Sequence, residues 1–105
     1  MGENPEQPRG DLDGLHPAVL RLIERTVEAA HAHGKWVGLC GELGADPVAV
    51  PILVGLGLDE LSVNVPAIAQ VKSQVRALSF ADARAIAARA LRCATAGEVR
   101  KVMTS

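Results

Sequence analysis

The fold of this 105-residue chain is decided by residues 36–63, WVGLCGELGADPVAVPILVGLGLDELSV. A short apolar run at 36–40, bounded by glycines, predicts a buried strand covered on both faces, and residues 60–63 predict a second short strand. The segment between them predicts a helix. Strand, helix and strand in this order predict a parallel strand pair and an α/β fold.

The helix between the two strands has a clear N-terminal signal, but a proline follows one turn later. Asp46 is a favourable N-cap residue, and Pro47 suits the first helical position. Pro51 removes a backbone hydrogen bond one turn further on, so this helix is either kinked or begins later than its cap indicates. We expect it to end within residues 55–58, where two glycines occur.

Helices are predicted on both sides of this unit. The first begins at Pro17 and ends at Gly34. Its expected apolar stripe consists of Val19, Ile23, Val27 and Ala30. Three more helices follow the second strand, opened by Pro66 and by capping-box patterns at Ser79 and Thr95. The stripe expected for the Pro66 helix consists of Ile68, Val71, Val75 and Leu78.

Composition excludes several classes of protein. Hydrophobic residues make up 49% of the chain, aromatic residues 2%, and the net charge is -1, which suits one small domain with an aliphatic core. Nucleic-acid binding would need clustered cations or stacking aromatics. The longest apolar stretch is broken by proline and glycine, which argues against a membrane span. Residues 1–14 are polar and lack a secretory core, so we expect a cytoplasmic protein with a flexible lead-in and a folded part at 15–105.

Cys40 is the candidate reactive group. It ends the first predicted strand between Gly38 and Gly41, and these small neighbours leave the thiol where a substrate can reach it. The other interpretation is a small buried hydrophobe, and strand-end position alone does not decide between them. Glu42 either orients a substrate or is a solvated structural residue. Cys93, near the end of an alanine-rich helix, is expected to pack or to be inert.

The remaining singular residues have structural interpretations. His31 and His33 lie two positions apart, so they point to different sides of a helix and make a poor ligand pair. We expect them in the last helical turn, where they favour the dipole. Trp36 is expected to anchor the core. Asp59 and Glu60 are expected to form the turn into the second strand.

Three motifs resemble the C-terminal end of enzyme I, the phosphoenolpyruvate–protein phosphotransferase of the bacterial sugar phosphotransferase system. They are HPAVLRLI (16–23), GKWVGLCGEL (34–43) and GLGLDELS (55–62). Their order and spacing are similar to the family's, and the later capped helices match its tail in pattern. The resemblance implies the last two strand–helix units of a (β/α)8 TIM-type barrel plus C-terminal helices. A full barrel takes about 250 residues, so the chain would be a partial barrel.

The resemblance also implies a reaction. In this family the cysteine of the motif protonates C3 of the pyruvate enolate formed from phosphoenolpyruvate, a role that falls on Cys40. Gly38, Gly41 and Glu42 would be substrate-binding residues. The family implies Mg²⁺, but its ligands and the phosphate-gripping arginines precede this segment. The implied partners are phosphoenolpyruvate or pyruvate and, through a full enzyme, a histidine-containing phosphocarrier protein. No histidine of this chain lies in the family's phosphorylation motif.

Two other interpretations stay open. A two-stranded sheet leaves unpaired edges and is rarely stable alone, so the chain is alternatively a free-standing module that self-associates or binds a partner. It is also similar to the tail of a pyruvate phosphate dikinase or phosphoenolpyruvate synthase, which share the CGE cysteine. As a fragment of enzyme I, the isolated chain is expected to be inactive, because phosphoryl transfer needs metal and cationic clamps.

Overall fold

The computed structural model of the protein describes residues 14–40 and 42–104, with backbone alone at Cys40 and Glu42. The predicted lead-in therefore lies, apart from Gly14, outside the described residues. The described elements, in chain order, are α1 (Pro17–Ala32), β1 (Gly38–Cys40), α2 (Ala49–Gly55), β2 (Glu60–Ser62), α3 (Ile68–Arg76), α4 (Phe80–Leu91) and α5 (Ala96–Thr104). Short 3-10 turns, Glu42–Ala45 and Val65–Ala67, precede α2 and α3.

The two strands pair in parallel, as predicted, with α2 as the crossover. The register places Gly38 opposite Glu60 and Cys40 opposite Ser62. One expectation was wrong, because the sheet is covered on one face. Leu39 and the partner leucine on β2 pack against the core, whereas Gly38, Glu60 and Ser62 are exposed. Gly38, Glu60 and Ser62 therefore lie on a sheet face that the described core does not cover.

Helix α1 begins and ends where the sequence predicts. Pro17 is its first residue, and Gly34 follows its end with a φ of +69°, a conformation that glycine adopts without strain. The predicted stripe was wrong at Val19, whose side chain is 39% exposed. Leu20 is buried instead, because its spacing from Pro17 and Val27 aligns these three side chains on one face.

Helix α2 begins later than its cap suggests, which resolves the problem posed by Pro51. The helix starts at Ala49, so Pro51 occupies the third position, where the N–H has no intrahelical partner in any α-helix. Asp46 still caps this end, since its Oδ1 accepts a hydrogen bond from the Val48 N–H at 3.0 Å. Gly57, with a φ of +95°, turns the chain towards β2.

Ser79 and Thr95 both act as N-caps, as predicted. The Ser79 hydroxyl accepts a hydrogen bond from the Asp82 N–H at 3.1 Å at the start of α4. At the start of α5 the Thr95 hydroxyl accepts from the Glu98 N–H at 3.1 Å, and the Glu98 carboxylate accepts from the Ala94 N–H at 3.2 Å. These bonds satisfy backbone donors that have no partner inside the helix.

Two predictions of burial were wrong. In α3, which begins at Ile68 after a 3-10 turn containing Pro66, Val71 is 7% exposed, but Ile68 and Val75 are 41% and 40% exposed. Trp36 is 68% exposed and does not anchor the core. Its ring lies beside Gly38, on the sheet face that the described helices leave open.

The core forms where α2 packs across α4. Gly55, the last residue of α2, approaches α4 so closely that a Cβ there would collide with the Ala83 carbonyl and lie 2.9 Å from the Ala87 Cβ. The core cluster of buried residues consists of Leu15, Leu20, Ala49, Ile52, Leu53, Leu56, Ala87, Ala90, Cys93, Ala96 and Val99. Small residues on α4 thus allow α2 to be buried between the sheet and α4.

We predict that Gly55→Ala lowers the free energy of unfolding by about 1–3 kcal/mol, because the added methyl forces two helices apart. Gly97→Ala is the matched control. A Cβ at Gly97 meets nothing closer than 3.9 Å, so the helix propensity of alanine should raise stability by about 0.5–1 kcal/mol. Urea unfolding followed by circular dichroism measures both. A Gly55→Ala protein as stable as the wild type would contradict the described packing.

Candidate functional site

The carboxyl ends of the two strands lie side by side at one edge of the sheet. Cys40 is the last residue of β1 and Ser62 the last residue of β2, and they are register partners. Active sites of parallel α/β proteins form at this edge, where the strands end and loops begin. The predicted site residue Gly41 and the side chains of Cys40 and Glu42 lie outside the described part of the chain.

The turn that follows Cys40 packs directly on this edge. Gly44, in the 3-10 turn Glu42–Ala45, is buried. A Cβ at Gly44 would lie 3.4 Å from a Val63 methyl group and 3.7 Å from the Ser62 carbonyl oxygen. Leu43 contacts Gly14, where a Cβ would lie 3.0 Å from the leucine side chain. The turn is therefore held against the end of β2 and against the chain just before α1.

Asp46 stabilises the C-terminal end of this turn through its hydrogen bonds. Its N–H donates to the Leu43 carbonyl at 3.2 Å, and its own carbonyl accepts from the Ala49 N–H at 2.9 Å. One carboxylate oxygen caps Val48, and the other accepts from the Arg100 guanidinium at 2.9 Å. The sequence identified Asp46 as a cap but missed Arg100, because a contact across 54 positions leaves no local signal.

A second polar cluster lies at the opposite, amino-terminal edge of the sheet. The Asp59 carboxylate lies 2.8 Å from His31 Nε2 and accepts a hydrogen bond from the Val37 N–H, also at 2.8 Å. The hydrogen bond with His31 and then that from Val37 hold the pKa of Asp59 below its ordinary value. This cluster ties the end of α1 to the entry of both strands, away from Cys40.

The structure also gives the positions of Gly38, Cys93 and His33. Gly38 lies at the amino end of β1, where a Cβ would be 3.2 Å from a Glu60 carboxylate oxygen. Cys93 is a free thiol that packs in the core, as predicted, and its S–H donates to the Arg89 carbonyl at 3.5 Å. His33 lies just beyond α1, with Nδ1 2.9 Å from the Ala29 carbonyl oxygen, and makes no pair with His31.

Within residues 14–40 and 42–104, no group of three or more histidine, cysteine, aspartate or glutamate side chains is arranged to hold a metal ion. The described residues therefore do not fit the Mg²⁺ that the resemblance implies, and we assign no step of the chemistry to a metal held by them. No described helix is long and apolar enough to cross a membrane.

Comparison with known proteins identifies the family of this chain. Residues 3–80 match the family described as PEP-utilising enzyme, PEP-binding domain. This match covers more than half of the chain and includes both strands and α2. The chain belongs to the family of phosphoenolpyruvate-utilising enzymes.

Individual relatives show which members of this family the chain resembles. A multiphosphoryl transfer protein of Rhodobacter capsulatus is 57% identical over 84% of the chain. A phosphoenolpyruvate-protein phosphotransferase of Staphylococcus carnosus is 44% identical over 80% of the chain, and a multiphosphoryl transfer protein of Escherichia coli O6:H1 is 47% identical over 87%. The chain spans only 11%, 15% and 11% of the length of these three proteins. The sequence resemblance to enzyme I is thereby confirmed.

We predict that Asp59 makes stability depend on pH. A carboxyl group whose pKa is lowered by folding stabilises the native state above its unfolded pKa, and this contribution is lost as the pH falls through the folded pKa. The wild type should therefore be more stable than Asp59→Asn at pH 7, with the difference shrinking once the pH falls below about 4 and disappearing only below the lowered pKa of folded Asp59. Glu28→Gln, on the exposed face of α1, serves as the control in thermal unfolding. A difference that stays constant from pH 7 to pH 2 would contradict this assignment.

Proposed function

We propose that this chain is the part of a phosphoenolpyruvate–protein phosphotransferase that supplies the acid for pyruvate formation. Residues 15–105 would form the last two strand–helix units of a (β/α)8 barrel, followed by its C-terminal helices. The observation that carries the proposal is the position of Cys40. It ends β1 at the carboxyl edge of a parallel pair, within the segment that matches the PEP-binding domain.

The open face of the sheet supports the barrel part of this proposal. Gly38, Glu60 and Ser62 are exposed on that face, and Trp36 lies beside it. In a (β/α)8 barrel the helices cover the outside of the sheet and side chains from the other strands fill the inside. One covered and one open face is what two barrel strands show without the remaining six or so.

The chemistry assigned to Cys40 is a proton transfer to carbon. When phosphoenolpyruvate passes its phosphoryl group to a histidine in a separate N-terminal domain of the full enzyme, a P–N bond forms, the P–O bond breaks and its electron pair stays on oxygen, which gives the enolate of pyruvate. C3 of the enolate then takes the thiol proton, the S–H electrons remain on sulfur, and the thiolate is reprotonated from water. In the reverse direction the thiolate removes a proton from the pyruvate methyl group. A thiol, with an unperturbed pKa of about 8.5, suits a group that both gives and regains a proton.

The other proposed site residues act on the substrate. Gly38, Gly41 and Glu42 would line the approach of the small carboxylate and phosphate groups. Mg²⁺ and the cationic clamps on the phosphoryl group would come from the portion of the relatives that this chain does not match. The isolated chain would therefore be inactive. The names of the relatives favour a phosphotransferase over a dikinase or synthase. The role we propose is cytoplasmic sugar phosphotransfer, in which a histidine-containing phosphocarrier protein would be the partner of the full enzyme.

A second candidate function rests on exposed apolar surface. A groove of about 390 Å³ lies between β2 and α3. It is lined by Val54, Leu58, Asp59, Glu60, Leu61, Val71, Lys72, Val75 and Arg76. Leu22, Trp36, Val65 and Phe80 are also more than half exposed. In a free-standing module these surfaces would be covered by a second copy of the chain.

The catalytic proposal is tested in a chimera, in which this chain replaces the matching segment of the Staphylococcus carnosus phosphotransferase. We expect the chimera to transfer phosphate from phosphoenolpyruvate and Cys40→Ala to lower its kcat by about 10²–10⁴-fold, because the general acid is lost. Cys93→Ala, which alters a thiol in the core, is the matched control and should retain kcat. The proposal fails if Cys40→Ala turns over like the wild type, or if the isolated chain catalyses the reaction unaided.

The mass of the isolated chain in solution tests whether it is a self-associating module. If two copies cover the exposed surface, sedimentation equilibrium of the isolated chain should give a dimer or larger species that Trp36→Ser and Val65→Ser weaken. As a control, Ala88→Ser changes an exposed position on α4 and should leave the mass unchanged. A monomer at all concentrations would argue against the module and leave the phosphotransferase fragment as the better account.

A further inference from the structure

We propose that Arg100 and Asp46 form a positioning pair that sets the geometry of the Cys40 edge from the C-terminal helix. The inference rests on the proposed function, since it concerns the residue to which we assign the proton transfer. It adds a residue on α5 that lies outside the matched family segment, residues 3–80.

Arg100 and Asp46 form an ion pair. The Arg100 guanidinium donates to Asp46 Oδ2 at 2.9 Å, and the two side chains retain 41% and 21% of their exposure. The partial burial of the carboxylate strengthens the attraction relative to a fully solvated pair. The other carboxylate oxygen is already bound to the Val48 N–H, so both oxygens of Asp46 have fixed partners.

Hydrogen bonds link Asp46 to the turn after Cys40. The Asp46 N–H is bonded to Leu43 within that turn, and the Asp46 carbonyl is bonded to the first N–H groups of α2. Gly44, between them, is buried against the Ser62 carbonyl and Val63 at the end of β2. Asp46 is therefore connected through the Glu42–Ala45 turn to the end of β2, whose last residue is the register partner of Cys40.

This connection has a consequence for reactivity. A displacement of about 1 Å of a catalytic group can cost roughly a hundredfold in rate, so a brace on the adjoining turn matters even without contacting substrate. Arg100 is thus a positioning residue, which would act through Asp46 and the turn. Loss of the pair should loosen the turn locally while the core between α2 and α4 stays intact.

The test measures the two thiols of the full 105-residue chain separately, by iodoacetamide alkylation and peptide mass spectrometry. Cys93 is buried in the core and reports global unfolding, whereas Cys40 reports the edge. In Arg100→Ala we expect alkylation of Cys40 and amide exchange at residues 48–50 to speed up roughly fivefold, with Cys93 unchanged. Arg100→Lys, which keeps the charge, should restore part of the protection.

Two further variants sharpen the result. Asp46→Asn keeps an acceptor for Val48 but loses the charge pair, so it should match Arg100→Ala, and the double variant should be no worse than either. Arg21→Ala is the matched control, since it removes a tertiary hydrogen bond from Arg21 to the Leu91 carbonyl, 3.2 Å, distant from the turn. It should not change Cys40.

The proposal is overturned if Cys40 alkylation in Arg100→Ala is not faster than in the wild type, or if Cys40 and Cys93 speed up together. These outcomes are separate from failure of the catalytic proposal. That failure would appear as full activity of Cys40→Ala in the chimera, whatever the alkylation rates in the isolated chain.

Discussion

The close approach of α2 to α4 is the constraint on which the rest of this structure depends. Parallel pairing of β1 with β2 requires a crossover, and the crossover here is a single short helix that must be buried to be stable. Gly55 permits that burial, because its missing side chain lets α2 rest on the Ala83 carbonyl. Once α2 is held, the two strands are held in register, and their carboxyl ends coincide at Cys40 and Ser62.

Much of this arrangement could be predicted from the sequence, because its signals are local. Caps at Ser79 and Thr95, the glycine after α1 and the strand–helix–strand order all depend on neighbouring residues, and all are present. Burial was predicted less well. Trp36 was expected inside because it is large and apolar, yet exposure depends on which sheet face the helices cover. The Arg100–Asp46 pair joins distant segments and has no local signature, so only the folded structure reveals it.

The sheet separates two kinds of polar cluster. At its amino-terminal edge Asp59 fastens α1 to the strands through His31 and Val37, a structural arrangement. At its carboxyl edge the chain presents Cys40 at a strand end, followed by a turn held from three directions. Membership of the phosphoenolpyruvate-utilising family gives that edge its proposed chemistry. The small share of each relative that the chain spans agrees with the proposal that Cys40 acts as a proton donor while the phosphate clamps belong to the rest of a longer enzyme.

The stereochemistry at C3 reveals whether Cys40 protonates the enolate. Phosphoenolpyruvate carrying deuterium at one C3 position would be turned over by the chimera in tritiated water, and the configuration of the pyruvate methyl group determined. We expect one configuration from the wild type, because a fixed thiol delivers the proton to one face. From Cys40→Ala we expect equal amounts of the two configurations, because the released enolate is protonated by solvent. A single configuration from Cys40→Ala would show that another group protonates the enolate.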